Sequence, residues 1–110
     1  VGFDLLAAEA VLRGKKELPN ILLTAVVPFR LQYDRWSVRE KLRYHSIISR
    51  ADKVVVLSEH YYNGCLLRRN DYMLSHCNGV IAYYDGTPKG GTYYTIRKAR
   101  QMKLPVLNLF

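Results

Sequence analysis

Apolar positions along this chain switch between two spacings, and the switches divide it into eight segments. Phe3, Leu6, Ala7, Ala10 and Val11 recur at helical spacing, which predicts a first helix over residues 4–13 with one buried stripe. A polar turn with Pro19 follows. Ile21 to Val27 is then almost continuously apolar and closes at Pro28. A run without alternation suits a strand covered on both faces in a parallel sheet. Tyr44, Ile47, Ile48 and Ala51 form a second helical stripe ending before Asp52. Val54 to Leu57 reads as a strand, and Leu66 to about Cys77 as a third helix with Arg69 and Asn70 at or near its start. Gly79 to Ala82 is the next strand, residues 92–103 the last helix, and Pro105 to Phe110 the closing strand.

Strict alternation of helix and strand predicts an α/β fold: a mainly parallel sheet with helices on both faces, in three layers. At 110 residues the chain is expected to be a single domain, with room for one core. Right-handed crossovers place strand-to-helix loops on one edge, so the loops after residues 27, 57 and 84 are expected to converge. The first helix has no strand before it, whereas the opening strand of such folds usually lies at the sheet's centre. The expectation is that the first strand is missing from this chain.

The segment Tyr83-Tyr84-Asp85-Gly86-Thr87-Pro88-Lys89-Gly90-Gly91-Thr92 leads from an apolar strand into a helix. Glycines let the backbone approach a ligand closely, and the free amides of a first helical turn favour an anion. Lys89 adds a cation and Asp85 a carboxylate. An ordinary turn with Thr92 as helix cap would explain the same residues. Trp36, in the polar-aromatic loop after Pro28, is either a stacking surface for a base or a packing residue. Asp4 is placed as a helix cap, or as a carboxylate facing ribose hydroxyls.

The formal charge of +8 favours polyanionic partners, although Arg97, Lys98, Arg100 and Lys103 sit where a helix C-terminus stabilises cations. The charge therefore reads as solvated helix faces plus one anion site. No apolar run reaches the roughly 20 residues needed to span a bilayer, so no membrane partner is expected. Two cysteines, Cys65 and Cys77, without a secretory signal point to a cytoplasmic protein with reduced thiols. His60, Cys65, His76 and Cys77 lack the paired short spacings of a zinc site, so no metal is expected.

Taken together, several stretches resemble the YpsA-like branch of the SLOG superfamily. They are Gly2-Phe3-Asp4 with Ala7-Ala8-Glu9-Ala10-Val11; Val27-Pro28-Phe29 with Gln32 and Trp36; and Tyr44 with Ala51-Asp52. Arg69-Asn70 with Tyr72-Met73, and Tyr84-Asp85-Gly86 with Gly90-Gly91-Thr92 and Ala99, complete the set. The resemblance covers nearly the whole chain in order, apart from the family's N-terminal strand. It implies a Rossmann-like fold that binds nucleotides or nucleotide-derived small molecules. Relatives include phosphoribohydrolases, whose glycine motif continues to a catalytic Glu, and a DNA-processing protein that binds single strands. Thr95 stands where that Glu would be, and a hydroxyl cannot supply its carboxylate.

The first expected function is thus binding or sensing of a nucleotide-like ligand, with no certain cofactor. Gly90, Gly91 and Thr92 would hold phosphate, with Lys89 and Arg69 as counter-charges. Asp4 and Asn70 would meet ribose or base edges, and Trp36 or Tyr84 would cover a ring. Gly2, at the opening of the first helix, belongs to the same candidate set, as does Asp85. Arg69 could instead be held in a salt bridge by Asp71 or Glu59. The alternative is a nucleotide-processing hydrolase using Asp85 or Asp4. The third is single-strand binding through the nine tyrosines and the positive charge. Adjacent strand residues point to opposite faces, so only one of Tyr83 and Tyr84 is expected to face a given groove. A sheet short of a strand could also pair with a second copy, making a homo-oligomer.

Overall fold

The computed structural model describes residues 3–110, in which four helices alternate with four short strands. The helices are α1 (Phe3–Gly14), α2 (Val38–Arg50), α3 (Cys65–Ser75) and α4 (Gly91–Gln101). The strands are β1 (Thr24–Val27), β2 (Lys53–Val56), β3 (Val80–Ala82) and β4 (Val106–Asn108). The α/β order therefore stands. Its strands pair in parallel as two separate two-stranded sheets, β1 with β2 and β3 with β4. The chain divides into two compact units, one ending at Tyr61 and the other running Tyr62–Phe110.

In the first unit, Leu5 of α1, Val27 of β1, and Tyr44 and Ile47 of α2 are buried. The pair Arg43–Glu9 joins the two helices, its guanidinium donating to both carboxylate oxygens at 2.6 and 3.2 Å. Helix α2 starts on a side-chain cap, because the Ser37 hydroxyl accepts from the Glu40 amide at 3.2 Å. Strand β1 starts later than the apolar run predicts. The Asp52 carboxylate accepts from the Leu23 amide at 2.7 Å, and the Leu23 carbonyl accepts from the Asp52 and Lys53 amides. A side chain thus occupies the backbone group that a strand partner would have used.

Asp52 also receives both bonds of Lys15, at 2.6 and 2.7 Å. The Lys15 ammonium, and next the Leu23 amide, hold its carboxyl below the usual aspartate range. A depressed folded value means the bond stabilises fully above the unfolded value of about 4 and is lost as pH falls through the lower folded value. Thermal unfolding followed by circular dichroism should show this as a stability loss confined to pH below about 4. Asp52→Asn should begin less stable at neutral pH and lose less on acidification. Equal acid loss in the two proteins would assign the effect elsewhere.

In the second unit, α3 packs on α4, and α4 packs on β3 and β4. Cys65, Leu74, Ala82, Ile96 and Ala99 make its core. Helix α3 begins at Cys65 because Gly64, at φ 90°, turns the chain in a conformation that favours glycine. Arg69 and Asn70 are therefore a full turn inside the helix, not at its start. Helix α4 ends at Gln101, where Lys103 at φ 61° lets the Leu104 amide reach back to the Ala99 carbonyl at 2.9 Å. Among the described residues no helix is long and apolar enough to cross a membrane.

Candidate functional site

Five of the predicted residues, Asp85, Lys89, Gly90, Gly91 and Thr92, line one open concavity of about 570 Å³ in the second unit. Tyr83, Tyr84, Thr87 and Phe110 complete its wall. It lies past the carboxyl end of β3, where the chain leaves the sheet and turns into α4.

Gly90 makes that turn. Its φ of 94° and ψ of 177° fall in a region essentially restricted to glycine, and no side chain caps the helix behind it. The helix ladder opens with the Tyr94 amide donating to the Gly90 carbonyl at 3.1 Å. Thr92 is therefore inside the first turn and does not cap it, contrary to the ordinary-turn reading. A helix that starts without a side-chain acceptor leaves its first-turn amides to solvent or a ligand, at the positive end of its dipole. The Lys89 ammonium has no carboxylate partner among the described residues.

The loop before Gly90 is closed on itself. The Asp85 carboxylate accepts from the Thr87 amide at 2.9 Å, and this bond, followed by one from the Thr87 side chain, draws its pKa down. The Tyr84 hydroxyl and the Lys89 amide both donate to the Thr87 carbonyl, each at 2.8 Å. Asp85 is thus an anionic turn-former held by Thr87. The tyrosine expectation needs correcting: Tyr83 and Tyr84 both line the concavity. They lie beyond Ala82, where β3 has ended and strand alternation no longer applies. The Tyr84 ring lies 6.4 Å from that of Tyr93, and the Tyr83 ring meets Phe110 edge-on at 5.2 Å.

Asn70 stands behind the glycine pair, its amide nitrogen 3.9 Å from where a Gly91 side chain would begin. Arg69 Nε donates to the Asn70 side-chain oxygen at 3.0 Å. The salt bridge considered between Arg69 and Asp71 does not form. Asp71 instead takes Lys98 at 2.9 Å and the Tyr94 hydroxyl at 3.0 Å, and Glu59 takes Arg30. Arg69 and Asn70 are not among the residues lining the concavity.

Trp36 and Asp4 belong to the first unit, and Gly2 lies outside the described residues. Trp36 packs edge-on against Tyr44 at 5.5 Å, within a cluster that also contains Tyr33 and His45. Burial raises the Tyr44 pKa, partly offset by a bond from Gln32. Asp4 stands in the first turn of α1, where a carboxylate complements the dipole. The loops after β1 and β2 are tied by Arg30 and Glu59, bonded twice at 2.7 and 2.8 Å, and by Phe29 against Tyr61.

Two features escaped the sequence reading. Phe110 forms part of the wall, and Asn108 braces it, as described below. The available signal was an asparagine within the apolar run of residues 106–110, since strands disfavour that residue.

The profile of the YspA SLOG family matches residues 1–105. A UPF0398 protein of Halalkalibacterium halodurans is 31% identical over 109 residues, covering 96% of this chain and 58% of its own length. A second, from Brevibacillus brevis, is 30% identical over 105 residues, covering 90% of this chain and 56% of its own. The prophage-derived protein YoqJ of Bacillus subtilis is 28% identical, with 94% and 67% covered. The chain thus spans somewhat more than half the length of the first two relatives. With a profile match over almost its full length and its α/β architecture, the chain belongs to the YpsA family of SLOG proteins.

Proposed function

We propose that this chain binds or senses a nucleotide or nucleotide-derived small molecule in the cytoplasm, on a Rossmann-like three-layer fold. The phosphate would rest on the amides of Gly90, Gly91 and Thr92, with Lys89 as counter-charge and Tyr83, Tyr84 and Phe110 beside the ring. One observation carries this reading: the first turn of α4 has no side-chain cap and opens, beside a lysine with no carboxylate partner among the described residues, into a concavity of nucleotide size.

Binding is favoured over hydrolysis because, among the described residues, Asp85 is the one acidic side chain lining the concavity, and Thr87 already bonds it. General acid–base work needs a carboxyl free to reach the bond being broken. Single-strand binding is also less well supported. Lys98 is paired with Asp71, and Arg97 donates to the Tyr93 hydroxyl at 3.2 Å while lying over that ring.

Calorimetric titration with adenosine monophosphate, ribose phosphate and adenosine tests the proposal. The two phosphate-bearing compounds should bind and adenosine should bind far more weakly, with no free base released. Adenosine binding as tightly as its monophosphate would remove the phosphate seat. Release of adenine would move the chain to the hydrolases.

A further inference from the structure

Strand pairing between β3 and β4 runs to the bond from the Leu109 amide to the Ala82 carbonyl, at 2.8 Å. Beyond it the two chains part, and a side chain continues the ladder. The Asn108 side-chain oxygen accepts from the Tyr84 amide at 2.9 Å, and its nitrogen donates to the Tyr84 carbonyl at 2.9 Å. The same oxygen also accepts from the Phe110 amide at 3.2 Å. One primary amide thus pairs with both backbone groups of one wall residue and with the amide of another.

The geometry points to Asn108 as the positioning residue of the ligand concavity: it sets the Tyr84 and Phe110 walls without lining the site itself. This inference rests on the ligand reading above only for its consequence, since the bonds themselves are made within the chain. An amide suits this place because Tyr84 presents a donor and an acceptor side by side, and a primary amide answers both at once. The fixed Tyr84 in turn holds Thr87 through its hydroxyl, so the bracing passes along the loop toward Lys89 and Gly90. A wall held this way is preorganised, and loosening it weakens binding through the disorder that the ligand must then remove.

The test compares the full chain with Asn108→Ala and Asn108→Asp by residue-resolved amide hydrogen exchange and by titration with adenosine monophosphate. Exchange at Tyr84 and Phe110 should accelerate about tenfold in Asn108→Ala, the size expected for one lost hydrogen bond. The core amides of α4 should stay unchanged. Asn108→Asp keeps the shape and the accepting oxygen but loses the donor and sets its second oxygen against the Tyr84 carbonyl, so it should restore protection only in part, whereas a purely packing role would be rescued in full. Affinity should fall roughly tenfold in Asn108→Ala. Unchanged exchange at Tyr84 in that variant overturns the inference, whatever the ligand does. Faster exchange with unchanged affinity also overturns it, by separating the wall from binding. If the parent chain binds no nucleotide but Tyr84 and Phe110 respond as described, the bracing stands and the nucleotide reading falls.

Discussion

Gly91→Asp should fold as well as the parent chain and bind adenosine monophosphate at least about a hundredfold more weakly. The position suits the experiment because nothing structural resists a side chain there. Its backbone lies outside the positive-φ region, and a new Cβ would meet only the Asn70 amide nitrogen, at an ordinary 3.9 Å. A carboxylate in the first turn of α4 also complements the helix dipole, worth about 0.3–1 kcal/mol in favour of folding. The same carboxylate would confront the phosphate. Two negative charges about 5 Å apart near a protein surface repel by about 3 kcal/mol, which is two orders of magnitude in affinity. Gly90 is a poorer choice, because any side chain at its φ of 94° strains the backbone and confuses folding with binding. Thermal unfolding and calorimetry on one preparation separate the two effects. A stable variant that binds like the parent chain would place the anion elsewhere.

Ile96→Ala should cost about 2–5 kcal/mol of stability, the largest folding effect expected for a single side chain of the second unit. Ile96 is 2% exposed, and one turn on Ala99 is fully buried, so the inner face of α4 has no slack to close a cavity. Ile81 in β3 is the matched control, an equal side chain that is 65% exposed. Removing it opens no cavity, and Ile81→Ala should cost less than about 1 kcal/mol. Urea unfolding followed by circular dichroism reads both variants. Equal losses would mean that the outer face of β3 is covered as thoroughly as the inner face of α4, against the exposure observed.

The alternation of elements was legible because each helix carries a stripe, such as Tyr44 with Ile47, and each strand a short apolar run. Boundaries were less legible wherever a side chain or a single backbone angle decided them. Asp52 shortens β1 by taking the Leu23 amide, Gly64 moves the start of α3, and Lys103 ends α4 early. None of these bonds leaves a periodic trace. The glycine-rich stretch was legible as a group, since residues 85–92 are close in sequence and remain close in space. What could not be read was how the acid in it is used. Asp85 looks available for chemistry in sequence, and becomes a turn-former only through the Thr87 amide two residues on. Asn108 was hidden for the opposite reason: its partner Tyr84 is 24 residues away.

Amide NMR of the labelled chain, titrated with adenosine monophosphate, tests the phosphate seat directly. Resonances of Gly90, Gly91 and Thr92 should move furthest and saturate together, because their N–H groups would gain a charged acceptor. Those three resonances standing still while others shift would contradict the account.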